Sequence, residues 1–177
     1  MDKKIEVAVL IGSDSDLPIV SETLKLFEQF SVSYSVNVAS AHRTPLFVRD
    51  CVKQAVSRGA KVFIAAAGMS AALPGVIASE TILPVIGIPI DGKNLSGMDS
   101  LFSIVQMPPS IPVACVSIGK AGAINAAVLA LQMLAISDKA IAKKLEKYRV
   151  NIAKTILEKD EKLNKIGYVK YIEGMKK

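Results

Sequence analysis

The chain has no tryptophan, a single histidine (His42) and two cysteines (Cys51 and Cys115), and only 5% of its residues are aromatic. One histidine argues against chemistries that need several imidazoles. The cysteines do not stand in CxxC spacing, so neither a disulfide framework nor a zinc site is indicated. No apolar run approaches the roughly 18 residues of a membrane span. Met1-Asp2-Lys3-Lys4 leads straight into a strand-like run without the apolar stretch of a signal peptide. A cytoplasmic protein without a membrane partner is the expectation. The P-loop and the G-x-G-x-x-G fingerprint are absent, which disfavours ATP and dinucleotides. There is no G-x-S-x-G elbow of an α/β-hydrolase either.

Charge of one sign is also missing from most of the chain. The net charge is +6, yet Lys and Arg number 10 and Asp and Glu number 10 from Met1 through Ser137. From Asp138 onward the counts are 12 and 6, so the whole excess lies in the tail. The tail interleaves both signs, as a solvated helix face does. A nucleic-acid partner would call for basic residues interleaved with aromatics on the main domain, so none is expected.

What is present is small and aliphatic. The 177 residues suit one ordinary domain, and 51% of them are hydrophobic, enough for one large core. Strand and helix patterns alternate. Strands are expected over residues 6–11, 34–38, 62–67, 85–88 and 113–117. Asp16 reads as the cap of a first helix with Pro18 in its first turn and Leu17, Val20, Leu24 and Phe27 at helical spacing. Phe47, Cys51 and Val52 belong to a second helix ending near Gly59, and residues 121–134 to an Ala-rich one. Such alternation, with near-continuous apolar strands, implies a parallel sheet covered on both faces. A flavodoxin-like three-layer α/β sandwich of strand order 2-1-3-4-5 is expected, with ligands at the carboxyl ends of the strands. Residues 1–137 form this domain. Residues 138–177 form a helical tail whose stripe of Ile141, Leu145, Tyr148, Ile152 and Ile156 needs a partner, on the parent domain or on a neighbouring subunit.

Three polar or small-residue loops follow the first three strands. Gly12-Ser13-Asp14-Ser15-Asp16 precedes a helix N-terminus, where exposed N–H groups favour an anion. Ser13 suits a phosphate or the backbone, and Asp16 sugar hydroxyls or a plain helix cap. Ser40-Ala41-His42-Arg43-Thr44-Pro45 carries the one side chain of a type that titrates near neutral pH. Arg43 beside it is a fork suited to phosphate, and Ser40 adds a hydroxyl. Gly68-Met69-Ser70-Ala71-Ala72-Leu73-Pro74-Gly75 offers little side-chain chemistry. Its small residues allow either close ligand approach to the backbone or tight helix-on-sheet packing. Met107-Pro108-Pro109 is a rigid segment that serves as a lid or as a surface connection.

These loops, with Leu83-Pro84-Val85-Ile86-Gly87-Ile88-Pro89 and the run from Asp99 to Pro108, resemble the catalytic subunit of phosphoribosylaminoimidazole carboxylase, the N5-carboxyaminoimidazole ribonucleotide mutase family of purine synthesis. The likeness runs from about Val7 to Leu134. It implies a homo-octamer without metal or organic cofactor, in which a carboxylate moves from the exocyclic nitrogen of an aminoimidazole ribonucleotide to C4. By motif position it implies that Ser13 and Asp16 bind the ribose-phosphate and that Ser40 and Arg43 bind the phosphate. His42 is then the general acid/base, and backbone groups around Gly68, Ser70 and Ala71 hold the travelling carboxylate. A small, dry pocket would retain CO2 between the two steps.

One position departs from the resemblance. The mutases carry His where this chain has Ala72. The related direct carboxylases, which take CO2 itself, also lack that His but usually have Lys where this chain has Arg43. A non-catalytic nucleotide- or flavin-binding module on the same fold is the competing class. It leaves the His42-Arg43 pair without a task.

Overall fold

The computed structural model describes residues 3–92 and 95–175. Met1 and Asp2, read above as the lead-in to the first strand, lie outside the described residues. Five short runs form strands: β1 (Val7–Ile11), β2 (Tyr34–Val38), β3 (Val62–Gly68), β4 (Val85–Ile90) and β5 (Ala114–Cys115). They form one parallel sheet of order β2-β1-β3-β4-β5. β1 and β4 are buried along their whole length and β3 to its last residue but one, which is why they read as unbroken apolar runs. The helices between them are α1 (Leu17–Phe30), α2 (Pro45–Ser57), α3 (Leu73–Glu80), α4 (Met98–Val105) and α5 (Gly119–Ala135).

Side chains alternate across the sheet. Ala8, Leu10, Phe63 and Ala65 form a core with Val48 and Val52 of α2, Leu73 and Ile77 of α3 and Ile104 of α4. The opposite face is covered by α1 and α5. The Thr23 hydroxyl of α1 donates to the Ala123 carbonyl of α5 at 2.7 Å, and both residues are fully buried. Helices on both faces make this the expected flavodoxin-like three-layer architecture. On the first face, α4 packs closely because β4 has a glycine at its centre. A Cβ on Gly87 would come within 2.5 Å of Ile104 Cγ2 and 3.1 Å of Val113 Cγ1.

Four local expectations need correction. β4 runs on through Pro89 to Ile90 instead of ending at Ile88. The Gly87 carbonyl accepts from Val116 N–H, so Gly87 and, two residues on, Pro89 turn their backbone groups toward β5. β5 pairs only with Ile86 and Gly87, so no carbonyl there waits for the N–H that proline lacks. β5 itself is two residues long rather than five, because Pro112 precedes it and it has only one neighbour. The buried face of α1 is Val20, Thr23, Leu26, Phe27 and Phe30, while Leu17 is exposed. The hydrogen-bonded Thr23 takes a core position that apolar periodicity alone passes over. Finally, Asp16 makes no forward cap on α1. Its carboxylate turns back to the Ser13 N–H, as set out below.

The chain divides into two compact units, Met1–Leu134 and Ala135–Lys177. The second comprises α6 (Lys139–Ile166) and α7 (Tyr168–Met175). Asp138 caps α6, its carboxylate accepting from the N–H groups of Ala140 (2.8 Å) and Ile141 (3.1 Å). Gly167, at φ 76°, separates the two helices. Ile152 and Ile156 of the apolar stripe are about half exposed. No helix among the described residues is long and apolar enough to cross a membrane.

Candidate active site

The loops after β1, β2, β3 and β4 surround a cavity of about 750 Å³ at the carboxyl ends of the strands. That volume suits a nucleotide-sized ligand. The sheet order reverses beside β1, the point at which such folds leave a crevice.

The β1 loop folds on itself. Ser13 N–H donates to Asp16 Oδ2 at 3.2 Å, and the Ser15 hydroxyl, with one proton to give, has Ser13 Oγ at 2.8 Å and Asp16 Oδ1 at 3.3 Å as its acceptors. This turn, Asp14–Asp16, leads directly into α1. Asp16 is only 7% exposed. Burial pushes its carboxyl above the usual value, against the hydrogen bonds from Ser13 and Ser15, and neighbouring Asp14 adds to the rise.

The β2 loop is a compact turn closed by Thr44. Its N–H and hydroxyl both donate to the Ser40 carbonyl, at 2.8 and 3.1 Å, and its Oγ1 accepts from Ser40 N–H at 3.0 Å. Ser40 Oγ accepts from both the backbone N–H and the Nε of Arg43, each at 3.3 Å. Both of its lone pairs are then occupied, and its own proton is left for an outside acceptor. Arg43 Nη2 donates to the Gly12 carbonyl at 3.3 Å, tying this loop to the β1 loop. A guanidinium has five N–H donors, so three remain for a ligand. Among the described residues Arg43 has no carboxylate partner. His42 is exposed and makes no hydrogen bond there.

The β3 loop contributes mostly backbone. Met69 adopts a left-handed conformation (φ 57°), its carbonyl accepting from Ala71 N–H at 2.9 Å, while the Ser70 carbonyl accepts from Ala72 N–H at 2.6 Å. These tight turns aim the chain into α3, which has Pro74 in its first turn. In the single chain the cavity is not the dry pocket expected, because His42, Arg43, Met69 and Ser70 around it are all exposed.

All eight residues singled out from the sequence, Ser13, Asp16, Ser40, His42, Arg43, Gly68, Ser70 and Ala71, line this one cavity. Sequence reasoning missed Ser15 and the whole β4 wall, Ile90, Asp91 and Gly92. The signal for that wall was an Asp-Gly turn pair after an apolar strand, hidden by ending the strand at Ile88. Met107–Pro109 does not line the cavity. Met107 lies instead against Gly75 of α3, where a Cβ would meet its sulfur at 3.3 Å. The two thiols are free, Cys51 buried and Cys115 partly so, and burial pushes both above their usual range. Among the described residues no three His, Cys, Asp or Glu side chains gather as a metal site would need.

Comparison with known proteins places this geometry in a family. The sequence profile of the family described as AIR carboxylase matches residues 6–155. The chain is 51% identical over 169 residues to the N5-carboxyaminoimidazole ribonucleotide mutase of Pyrococcus abyssi, covering 96% of each protein. It is 48% identical over 172 residues to the phosphoribosylaminoimidazole carboxylase of Candida glabrata, covering 97% of this chain but only 30% of that longer protein. Among solved structures it is similar to Treponema denticola PurE, with a TM-score of 0.80 at 30% identity over 90% of this chain and 99% of the other. The chain belongs to the AIR carboxylase family.

Proposed function

We propose that the chain is an N5-carboxyaminoimidazole ribonucleotide mutase of purine biosynthesis. It moves a carboxylate from the exocyclic nitrogen of the aminoimidazole ring to C4. The observation that carries this reading is the joining of Arg43 and His42 on one short turn at the mouth of a nucleotide-sized cavity, in a chain that matches a protein named for that activity along nearly its whole length.

The residues divide the work by chemistry. Arg43 offers its free N–H groups, and Ser40 its proton, to the substrate phosphate. Ser13 lies on the same side, and Asp16 accepts from ribose hydroxyls. His42 handles the proton. Cleaving the N–CO2 bond leaves electrons on nitrogen that need a proton, and forming the C4–CO2 bond releases one from C4. A single imidazole that gives the first and takes the second returns to its starting state, so the reaction is a net isomerisation. Gly68, Ser70 and Ala71 offer backbone and small side chains to CO2 between the steps, where a bulky or charged group would displace it. No step asks for a second histidine, so Ala72 is compatible with the cycle.

Oligomerisation supplies the enclosure that the single chain lacks. Leu46 and Phe47 on α2, Met69, and Met98, Phe102 and Val105 on α4 are exposed apolar side chains that a homo-octamer would cover. A cytoplasmic location follows from the metabolic role.

Direct carboxylation by CO2 is the second reading, favoured by Ala72 and by the name of the Candida glabrata relative. Initial rates decide between the two. With carbonic anhydrase present, the carbamate should react far faster than aminoimidazole ribonucleotide with dissolved CO2. Carbamate that is consumed only as fast as it decomposes in buffer would overturn the mutase reading.

A further inference from the structure

The loop after β4 is the one wall of the cavity to which the proposed chemistry assigns no task. Asp91 stands there, one of two carboxylates lining the cavity, the other being Asp16. The backbone around Asp91 is shaped to admit it. Gly97 and Gly119 are both left-handed, with φ of 84° and 67°. A Cβ on Gly97 would sit 3.1 Å from Asp91 Cα, and one on Gly119 would sit 3.1 Å from Asp91 Oδ1. Gly119 is the first residue of α5, so the carboxylate lies where a helix favours negative charge. Among the described residues it has no hydrogen bond or ion pair. No described residue therefore takes up its acceptor oxygens, and Asp91 is exposed at the cavity.

The sheet order decides which part of a ligand they meet. β2 and β4 are separated by β1 and β3, so their loops stand three strand spacings apart, roughly 14 Å. Arg43 is on the first loop and Asp91 on the second. A phosphate held at Arg43 puts the ribose in the middle and the ring toward Asp91. A carboxylate can only accept hydrogen bonds, and at the phosphate end it would repel the ligand. At the ring end, once CO2 has left the nitrogen, it meets an exocyclic amine, which has N–H groups to donate. Resting on the proposed function, we infer that Asp91 binds the amino group of aminoimidazole ribonucleotide and fixes the orientation of the ring.

The test is calorimetric binding of two ligands, aminoimidazole ribonucleotide and ribose 5-phosphate, to full-length wild type, Asp91→Ala, Asp91→Asn and Arg43→Ala. Asp91→Ala should weaken the ribonucleotide roughly tenfold or more, the usual effect of losing a hydrogen bond to a charged group. It should leave ribose 5-phosphate within about twofold, and this arm also shows that the variant is folded. Asp91→Asn, which keeps an acceptor oxygen, should recover part of the loss. Arg43→Ala should weaken both ligands alike. Equal weakening of both ligands by Asp91→Ala, or no weakening of the ribonucleotide, would overturn the inference. Full retention of both ligands by Arg43→Ala would instead count against the phosphate end of the functional reading, while the ratio of the two ligands still judges Asp91.

Discussion

The guanidinium of Arg43 and the backbone carbonyl of Gly12 meet at 3.3 Å, joining the loops that follow β2 and β1. This contact, with the Nε donation to Ser40, sets the direction of the donors that remain. Arg43 is a brace between the two loops, and in the proposed function its remaining donors receive the phosphate.

Arg43→Ala should therefore weaken the nucleotide substrate by about 1.5–3 kcal/mol, roughly 10- to 150-fold in KM or Kd. Its preference for the nucleotide over the dephosphorylated nucleoside should collapse. Arg43→Lys should recover little of this, because an ammonium cannot hold Ser40, Gly12 and a phosphate in one plane. Competition binding with nucleotide and nucleoside checks it. A wild-type preference retained in Arg43→Ala would place the phosphate elsewhere.

His42→Asn should lower kcat by about 10²–10⁴-fold while KM changes little, since in the proposed cycle the imidazole moves a proton and does not hold the phosphate. The side chain is exposed and supports no packing, so the melting temperature should stay near that of wild type. Steady-state kinetics with a thermal melt separate the two effects. Turnover near wild type would remove His42 from the mechanism.

Asp16 carries a stability prediction whose sign follows from burial. Its folded carboxyl is raised above 3.8, so the folded state holds this proton more tightly than the unfolded state does. Below 3.8 both states are protonated and the residue contributes nothing. As pH rises through the raised folded value, stability is lost, and above it the loss is constant. The melting temperature of wild type minus that of Asp16→Asn should fall as pH climbs out of the acid range and then level off near neutrality. A difference that rises with pH or stays flat would contradict this. The same variant should bind the ribonucleotide more weakly, because an amide accepts less strongly from ribose hydroxyls.

The tail is tested by truncation after Ser137. Burying a large aliphatic side chain contributes about 1.5–3 kcal/mol, so half-exposed Ile152 and Ile156 leave a substantial apolar surface for a neighbouring subunit. Light scattering should show a smaller or less thermostable assembly. An assembly of unchanged size and undiminished stability would exclude the tail as an assembly element.

Much of the site was legible because its chemistry lies in short, uninterrupted runs. In Ser40-Ala41-His42-Arg43-Thr44-Pro45 the proposed proton carrier, the proposed anion receptor, the serine that holds the receptor and the start of α2 lie within six consecutive residues. Parallel topology then brings that run to the Gly12–Asp16 turn and to Gly68–Leu73. What was not legible depends on the third dimension. Asp16 looked like a helix cap, and only the folded turn shows its carboxylate reaching back to Ser13 N–H. Thr23 is polar by composition but fully buried, because α5 presents the Ala123 carbonyl to it. Asp91 is hidden when the fourth strand is ended at Ile88, and whether a strand can run on through Pro89 depends on how far the neighbouring strand extends.

The most direct test of the carboxylate transfer follows a label. Carbamate carrying ¹³C in its carboxylate is supplied with an excess of unlabelled bicarbonate and carbonic anhydrase, and the C4 carboxylate of the product is analysed by mass spectrometry after a single turnover. Retention of nearly all the ¹³C is the expected result, because CO2 stays in the cavity between leaving nitrogen and meeting C4. Product whose label has fallen to that of the surrounding bicarbonate pool would contradict the account, since the enzyme would then be taking its CO2 from solution.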